Sequence, residues 1–327
     1  MLLLNKDDIK KVFTMKDAIE ADKEAYRIFS EGKAEVPLRT NMASEKNGSM
    51  LFMPGYVSEL GCAGMKIVSV FPDNAKIGKP VTPATVLLMD DSTGEVVSIL
   101  DGTYITRVRT GAASGAAVDL LAVENAEIGA LIGTGGQAPA QLEAMLAARK
   151  LKEVRVYSRN KEKREKFAQE MNEELKSYGA VIKAAESSDE AITDADVILL
   201  ATTSETPVIN GDLVKKGALV SGVGSYMPNM HEIDEKTLKK ASKIFFDSKD
   251  AVLAEAGCII TPLKKGVISE SDFSGDIGEV VMGTKVGRES DDEIIVFKSV
   301  GIGVQDVVTA KRIYDKAVEK NIGTEWK

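Results

Sequence analysis

The sequence predicts an α/β protein: a doubly wound parallel sheet joined to a second domain of α+β type. Three observations carry this. From residue 127 onward, strand-like and helix-like segments alternate, the rhythm of a parallel sheet with crossover helices. Within that stretch an apolar run passes through a glycine-rich turn straight into a helix. Ahead of it, residues 36–101 carry short β-type runs closed by turn signals, a pattern that marks a separate domain. A chain of 327 residues is long for a single core and suits two domains.

The elements follow in order. MLLLNKDDIKK opens with a three-residue apolar run, too short for a signal peptide or an anchor. Residues 14–31 read as a helix, with Thr14 as N-cap and Gly32 after the last turn. Runs at 49–54, 64–71, 84–90 and 95–100 read as strands, and MDDSTGEVV supplies a hairpin turn between the last two. Residues 101–122 are Ala-rich and helical. EIGALIG is then a buried strand, 137–150 a helix, EVRVYS the next strand and 160–177 a charged amphipathic helix. VIKAA, DVILLAT, ALVSGVG, KIFFDS and EIIVFKSV continue the strands, and a helix over about 304–320 follows the last of them.

Composition excludes several classes of function. A net charge of −8 argues against a nucleic-acid partner. No apolar segment approaches the ~20 residues that span a bilayer, so the expectation is a cytoplasmic protein with no membrane partner. Cys62 and Cys258 form no metal spacing and read as reduced core residues. His231 is the only histidine, which excludes a histidine-rich metal site and argues against a Ser-His-Asp hydrolase; no metal is predicted. Proton transfer then falls to Lys, Asp, Glu or Tyr.

The strongest local signal is EIGALIGTGGQAPAQLEAML. Gly133 allows the tight turn, and Gly135 removes the Cβ that would block a pyrophosphate. Ala138 lets helix and strand pack closely. Thr134, Gly136 and Gln137 complete the turn, whose backbone N–H groups face the phosphates of a dinucleotide. The loop ATTS, with Thr202 and Thr203, falls where cofactor-proximal loops lie in such sheets. The second strand ends at Ser158 and Arg159, with no acid to accept from a ribose 2′-hydroxyl. Ser158 can donate to a 2′-phosphate and Arg159 can pair with it. Lys161 and Lys163 add positive potential that Glu162 and Glu165 partly offset. NADP(H) is the expected cofactor, with NAD possible. The predicted division is a substrate domain of residues 1–118 with 302–327, and a Rossmann domain of 119–301.

At this point the sequence resembles the ornithine cyclodeaminase/mu-crystallin family. The resemblance rests on PLR at 37–39, GMKIVSVFPDN at 64–74, ITRVRTGAASGAAVDLLA at 105–122, IGTGGQA at 132–138, VYSR at 156–159, GSYMPNMHEID at 224–234, EAGCIITPL at 255–263 and FKSVGIGVQD at 297–306. It implies a homodimer acting on a small imino or amino acid, and adds dimerisation to the role of the substrate domain. It also implies that Arg39, Lys66 and Arg109 gather around the substrate carboxylate, a task that suits fixed cationic donors and the bidentate fork of Arg. A Lys in a partly desolvated site can also supply a proton. Arg107 does not match the family position and reads as structural. FKSVGIGVQD closes the cofactor site by resemblance, with Lys298 as a polar contact and backbone approach at Gly301 and Gly303. Asp306 reads as a contact or as a helix-start residue.

Gly224 and Ser225 of the GSYMP loop join the cofactor residues. Tyr226 stands where cyclodeaminating members and archaeal alanine dehydrogenases carry an Asp. A phenol is a poor base at neutral pH but can donate to an imine or to water. The expected function is therefore reduction of a cyclic α-imino acid such as pyrroline-2-carboxylate, or the reverse dehydrogenation. Ornithine cyclodeamination and alanine dehydrogenation are the enzymatic alternatives. An NADPH-containing binding protein like mu-crystallin is the alternative of another class.

Overall fold

Alternating side chains build the first sheet. Its strands are β1 (Leu2–Leu4), β2 (Ala34–Glu35), β3 (Thr40–Ser44), β4 (Gly48–Val57), β5 (Cys62–Val70), β6 (Ala84–Asp90) and β7 (Val96–Asp101), with a last short strand at Thr324–Glu325. The order is Thr324–Glu325, β1, β7, β6, β5, β4, β2, with β3 on β4. β1 runs parallel to β7, and the β4 to β7 meander is antiparallel. On β5, Cys62, Gly64, Lys66 and Val68 form the buried set, one face of a period-two strand. The Met15–Ser30 helix begins as expected: the Thr14 hydroxyl accepts the Asp17 N–H, and the Asp17 carboxylate accepts the Thr14 N–H.

The Gly303–Glu319 helix packs on this sheet, and two glycines explain how closely. Gly55 and Gly64 are cross-strand partners on β4 and β5. A Cβ on either would stand 3.1 or 3.2 Å from Val307 Cγ2. The bare pair forms a seat for Val307, so the helix carries its neighbour Asp306 down to the level of Lys66.

The second sheet holds β8 (Ile128–Ile132), β9 (Glu153–Tyr157), β10 (Val181–Ala184), β11 (Val197–Leu200), β12 (Leu219–Gly222), β13 (Lys243–Phe246), β14 (Phe273–Asp276) and β15 (Ile295–Lys298). All pairings are parallel, in the order β10-β9-β8-β11-β12-β15-β13-β14. β11 and β15 are buried along their whole length, which is why they read as continuous apolar runs. The order reverses between β8 and β11, creating the crevice where ligands of such sheets bind. β14 was not expected, because FSGD has no apolar run. It is held by pairing with β13 and by Phe273 packing edge-on against Phe246, with ring centroids 4.9 Å apart.

This computed structural model describes residues 1–326. It divides into Met1–Arg109 with the segment from Ile302 onward, and Thr110–Gly301. The division lies inside the Gly102–Leu121 helix, earlier than the expected 118/119. The later part of that helix packs within the second unit. A Cβ on Gly111 would stand 2.5 Å from the Ala140 carbonyl oxygen, and Gln141 Nε2 donates to the Thr110 carbonyl at 2.7 Å. Among the described residues no helix is long and apolar enough to cross a membrane.

Candidate active site

Three buried charges meet in the first unit. Lys66 Nζ donates to Asp306 Oδ2 at 2.7 Å, and Arg109 Nε donates to Asp306 Oδ1 at 3.0 Å. The side chains of Lys66 and Asp306 are 1% exposed and that of Arg109 7%, so water screens none of them well. Burial pushes the Lys66 ammonium down to about 7; the Arg109 charge adds to this, while Asp306 opposes it and Arg39 contributes in the same sense as Arg109. Burial would raise the Asp306 carboxyl, but Arg109 and Lys66 hold it below its ordinary value. One carboxylate thus holds two cations, a set with residual positive charge while Lys66 is protonated. Arg109 Nη2 donates to no acceptor among the described residues, leaving one edge of the guanidinium for a ligand.

For Asp306 the sequence leaves a polar contact and a helix-start role open. The residue lies in the first turn of the Gly303–Glu319 helix, but its side chain bridges Lys66 and Arg109. Its neighbour Gln305 accepts from the Ile302 N–H at 3.0 Å and donates to Asp22 Oδ2 at 2.8 Å and to the Tyr26 hydroxyl at 3.0 Å. Asp22 and Tyr26 lie four apart on the Met15–Ser30 helix and share one face. Arg39 is half-buried in the same unit. Tyr226, also half-buried, belongs to the second unit.

In the second unit the glycine turn links β8 to the Ala138–Ala148 helix. Gly133 is glycine for the fold's sake: its φ is +110°, and a Cβ would stand 2.6 Å from the Ala201 carbonyl oxygen. Gly135 and Gly136 differ. Neither has positive φ, and a Cβ on either would meet nothing within 4 Å. The amides of Thr134, Gly135, Gly136 and Gln137 donate to no acceptor among the described residues, and Gln137 Oε1 is buried without a partner. Open space and four spare amides fit a dinucleotide pyrophosphate. At the tip of β9 the Thr134 hydroxyl donates to Ser158 Oγ at 2.9 Å. Arg159 is exposed and makes no ion pair among the described residues. Lys161 is drawn to Glu186 at 3.3 Å and Glu165 at 3.8 Å, so its charge is largely spent.

The loops after β11, β12 and β15 are held by buried charges. Glu232 accepts from the amides of Thr202 at 2.5 Å, Gly224 at 2.7 Å and Ser225 at 2.8 Å. Asp247 Oδ2 accepts from the Ser299 hydroxyl at 2.7 Å and from the amides of Val300 at 3.0 Å and Gly301 at 2.6 Å. Lys298, expected beside the cofactor, is fully buried and donates to the carbonyls of Gly222 at 2.9 Å and Ser299 at 2.8 Å. Gly301 has φ +79°, and a Cβ on Gly303 would stand 2.8 Å from the Pro54 carbonyl oxygen. Backbone geometry and packing therefore account for both glycines without a ligand. Sequence reasoning passed over Glu232 and Asp247: a lone acid in a loop carries no periodic signal, and Thr202 and the amides that Asp247 receives lie 30 or more residues away in the chain.

The chain matches the ornithine cyclodeaminase/mu-crystallin family over residues 1–321. It is 39% identical to the Δ1-pyrroline-2-carboxylate reductase of Bacillus cereus, an alignment covering 99% of this chain and 98% of that protein. A solved structure of the Thermococcus litoralis Δ1-pyrroline-2-carboxylate reductase, in complex with NADH and L-proline, is 41% identical, with a TM-score of 0.94 and 100% coverage of both chains. An archaeal alanine dehydrogenase dimer with bound NAD is 35% identical, with a TM-score of 0.91, covering 100% of this chain and 99% of that one. With its site geometry and these likenesses spanning both units, the chain belongs to the ornithine cyclodeaminase/mu-crystallin family.

Proposed function

We propose that this protein is an NAD(P)-dependent oxidoreductase that reduces a cyclic α-imino acid of the pyrroline-2-carboxylate type, and in reverse dehydrogenates the amino acid. The observation that carries the reading is the buried Lys66–Asp306–Arg109 cluster, in a chain 41% identical to a reductase solved with NADH and L-proline. Arg109 offers its open edge to the substrate carboxylate, and Arg39 adds a second cationic donor. Asp306 fixes the Lys66 ammonium, whose lowered pKa suits it to give up a proton near neutrality. Tyr226 is the alternative donor. A bound reduced nicotinamide supplies the hydride. The first unit serves substrate binding and dimerisation and the second the dinucleotide; the similar archaeal alanine dehydrogenase is a dimer.

The test is loss of A340 from NADPH or NADH with pyrroline-2-carboxylate and its six-membered analogue, then the reverse with L-proline and NAD(P)+. No cofactor oxidation across the imines would overturn the proposal, and substantial proline and ammonia from ornithine would turn it to cyclodeamination. NADPH is the proposed preference, because the tip of β9 offers Ser158 and a free Arg159 and no carboxylate. A charge-assisted bond contributes about 1.5–3 kcal/mol, so kcat/KM should favour NADPH by roughly ten- to a hundredfold and lose that margin in Arg159→Ala. Equal use of NADH by the unmodified protein removes the assignment.

The pH profile follows from Lys66. If its protonated form is required, kcat/KM for reduction should be level below about pH 7 and fall tenfold per unit above it, as the free enzyme loses that proton. Lys66→Met should be slow at every pH and lack this break. A break that persists in Lys66→Met belongs to the substrate, and a level profile to pH 9 in the unmodified protein takes the proton away from Lys66.

A further inference from the structure

The crevice at the reversal point of the second sheet has two walls. One is the glycine turn after β8. The other is the loop after β11, which touches that turn directly: a Cβ on Gly133 would stand 3.0 Å from Thr202 Cγ2. Thr202 therefore packs against the glycine turn at the head of the crevice. No β-ladder holds Thr202, which lies beyond the end of β11. Its amide is held by Glu232, whose other oxygen takes the Gly224 and Ser225 amides from the loop after β12.

This carboxylate is costly to keep where it is. Glu232 is 0% exposed and makes no ion pair within 4.0 Å among the described residues. Burial raises its pKa, offset by the Lys298 charge and the donated amides. A buried carboxylate persists where several donors satisfy it. The loops are fitted to this one: a Cβ on Gly224 would stand 2.3 Å from the Thr202 nitrogen and 2.6 Å from Glu232 Oε1. Only glycine lets the two loops close on the carboxylate.

We propose that Glu232 is a positioning residue for the dinucleotide, holding the loops at Thr202 and at Gly224–Ser225 as one rigid wall of the cofactor crevice. The inference rests on the dinucleotide reading of the second unit. Glu232 touches neither substrate nor cofactor; it acts through the three amides. A glutamine has the same shape but only one acceptor oxygen, and it turns an N–H group toward amides that also donate. One loop is then released.

The experiment is NADH binding, by fluorescence titration, to the unmodified chain and to Glu232→Gln, with circular dichroism as the check on folding. The unmodified chain must bind NADH or, in a parallel titration, NADPH, and the cofactor it binds is the one used for the comparison; if it binds neither, the cofactor reading itself fails. Given that binding, Glu232→Gln should raise the cofactor Kd at least about tenfold, and the cofactor KM with it, while kcat at saturating cofactor stays within about threefold. A purely structural role would lower the melting temperature yet leave the Kd, measured well below the transition, unchanged; that result overturns the proposal. Should Glu232→Gln not fold, amide hydrogen exchange in the unmodified protein decides. The same cofactor at saturation should slow exchange at Thr202, Gly224 and Ser225 together, and unchanged exchange at these three overturns the proposal.

Discussion

Arg109→Met should lower kcat/KM for imino-acid reduction by about thirty- to several-thousand-fold while NADH still binds. The range comes from the roughly 2–5 kcal/mol lost when one member of a buried charge pair is truncated. Methionine fills much of the same buried volume, so the folded chain keeps its packing and the Lys66–Asp306 pair. What disappears is the guanidinium edge that Asp306 does not use. NADH affinity is the control, since Arg109 belongs to the first unit and the glycine turn to the second. Arg109→Lys separates charge from shape: a single ammonium keeps the attraction but loses the fork, so recovery should be partial. Near-normal turnover in a folded Arg109→Met protein would remove Arg109 from the site.

Gly135→Val should abolish most NADH binding with little loss of stability, and Gly133→Val should do the reverse damage first, to the fold. The contrast follows from what surrounds each glycine. Valine at 133 forces a β-branched residue into φ +110° and drives its Cβ against the Ala201 carbonyl. Valine at 135 meets no protein atom, and its backbone does not have positive φ. Its side chain enters the space read here as the pyrophosphate's, and such overpacking costs about 1–3 kcal/mol or more, roughly five- to over a hundredfold in Kd. Fluorescence titration measures the binding and thermal unfolding the stability. A Gly135→Val protein that binds NADH normally would place the dinucleotide elsewhere.

The sequence by itself determined the long strands of both sheets and the local devices within them. Continuous apolar runs identify β8, β11 and β15, because both faces of a parallel sheet are covered. The Thr14 cap, the strand–glycine–helix junction at 133–138 and the acid-free tip of β9 are set by neighbours in the chain, and each was legible there. Arg39, Lys66 and Arg109 were marked by resemblance, since alternation on β5 would by itself read Lys66 as one charged residue on an otherwise buried face. What only the tertiary structure decided is how charges separated by long stretches of chain meet. β1 and β14 exist because partner strands complete their hydrogen bonds, not because of their own composition. Asp306, open in the sequence between a contact and a helix-start role, reaches Lys66 because the seat formed by Gly55 and Gly64 brings its helix onto the sheet. Glu232 and Asp247 gave no signal, because a buried carboxylate is recognised by the amides it receives, and those arrive from loops that folding alone gathers.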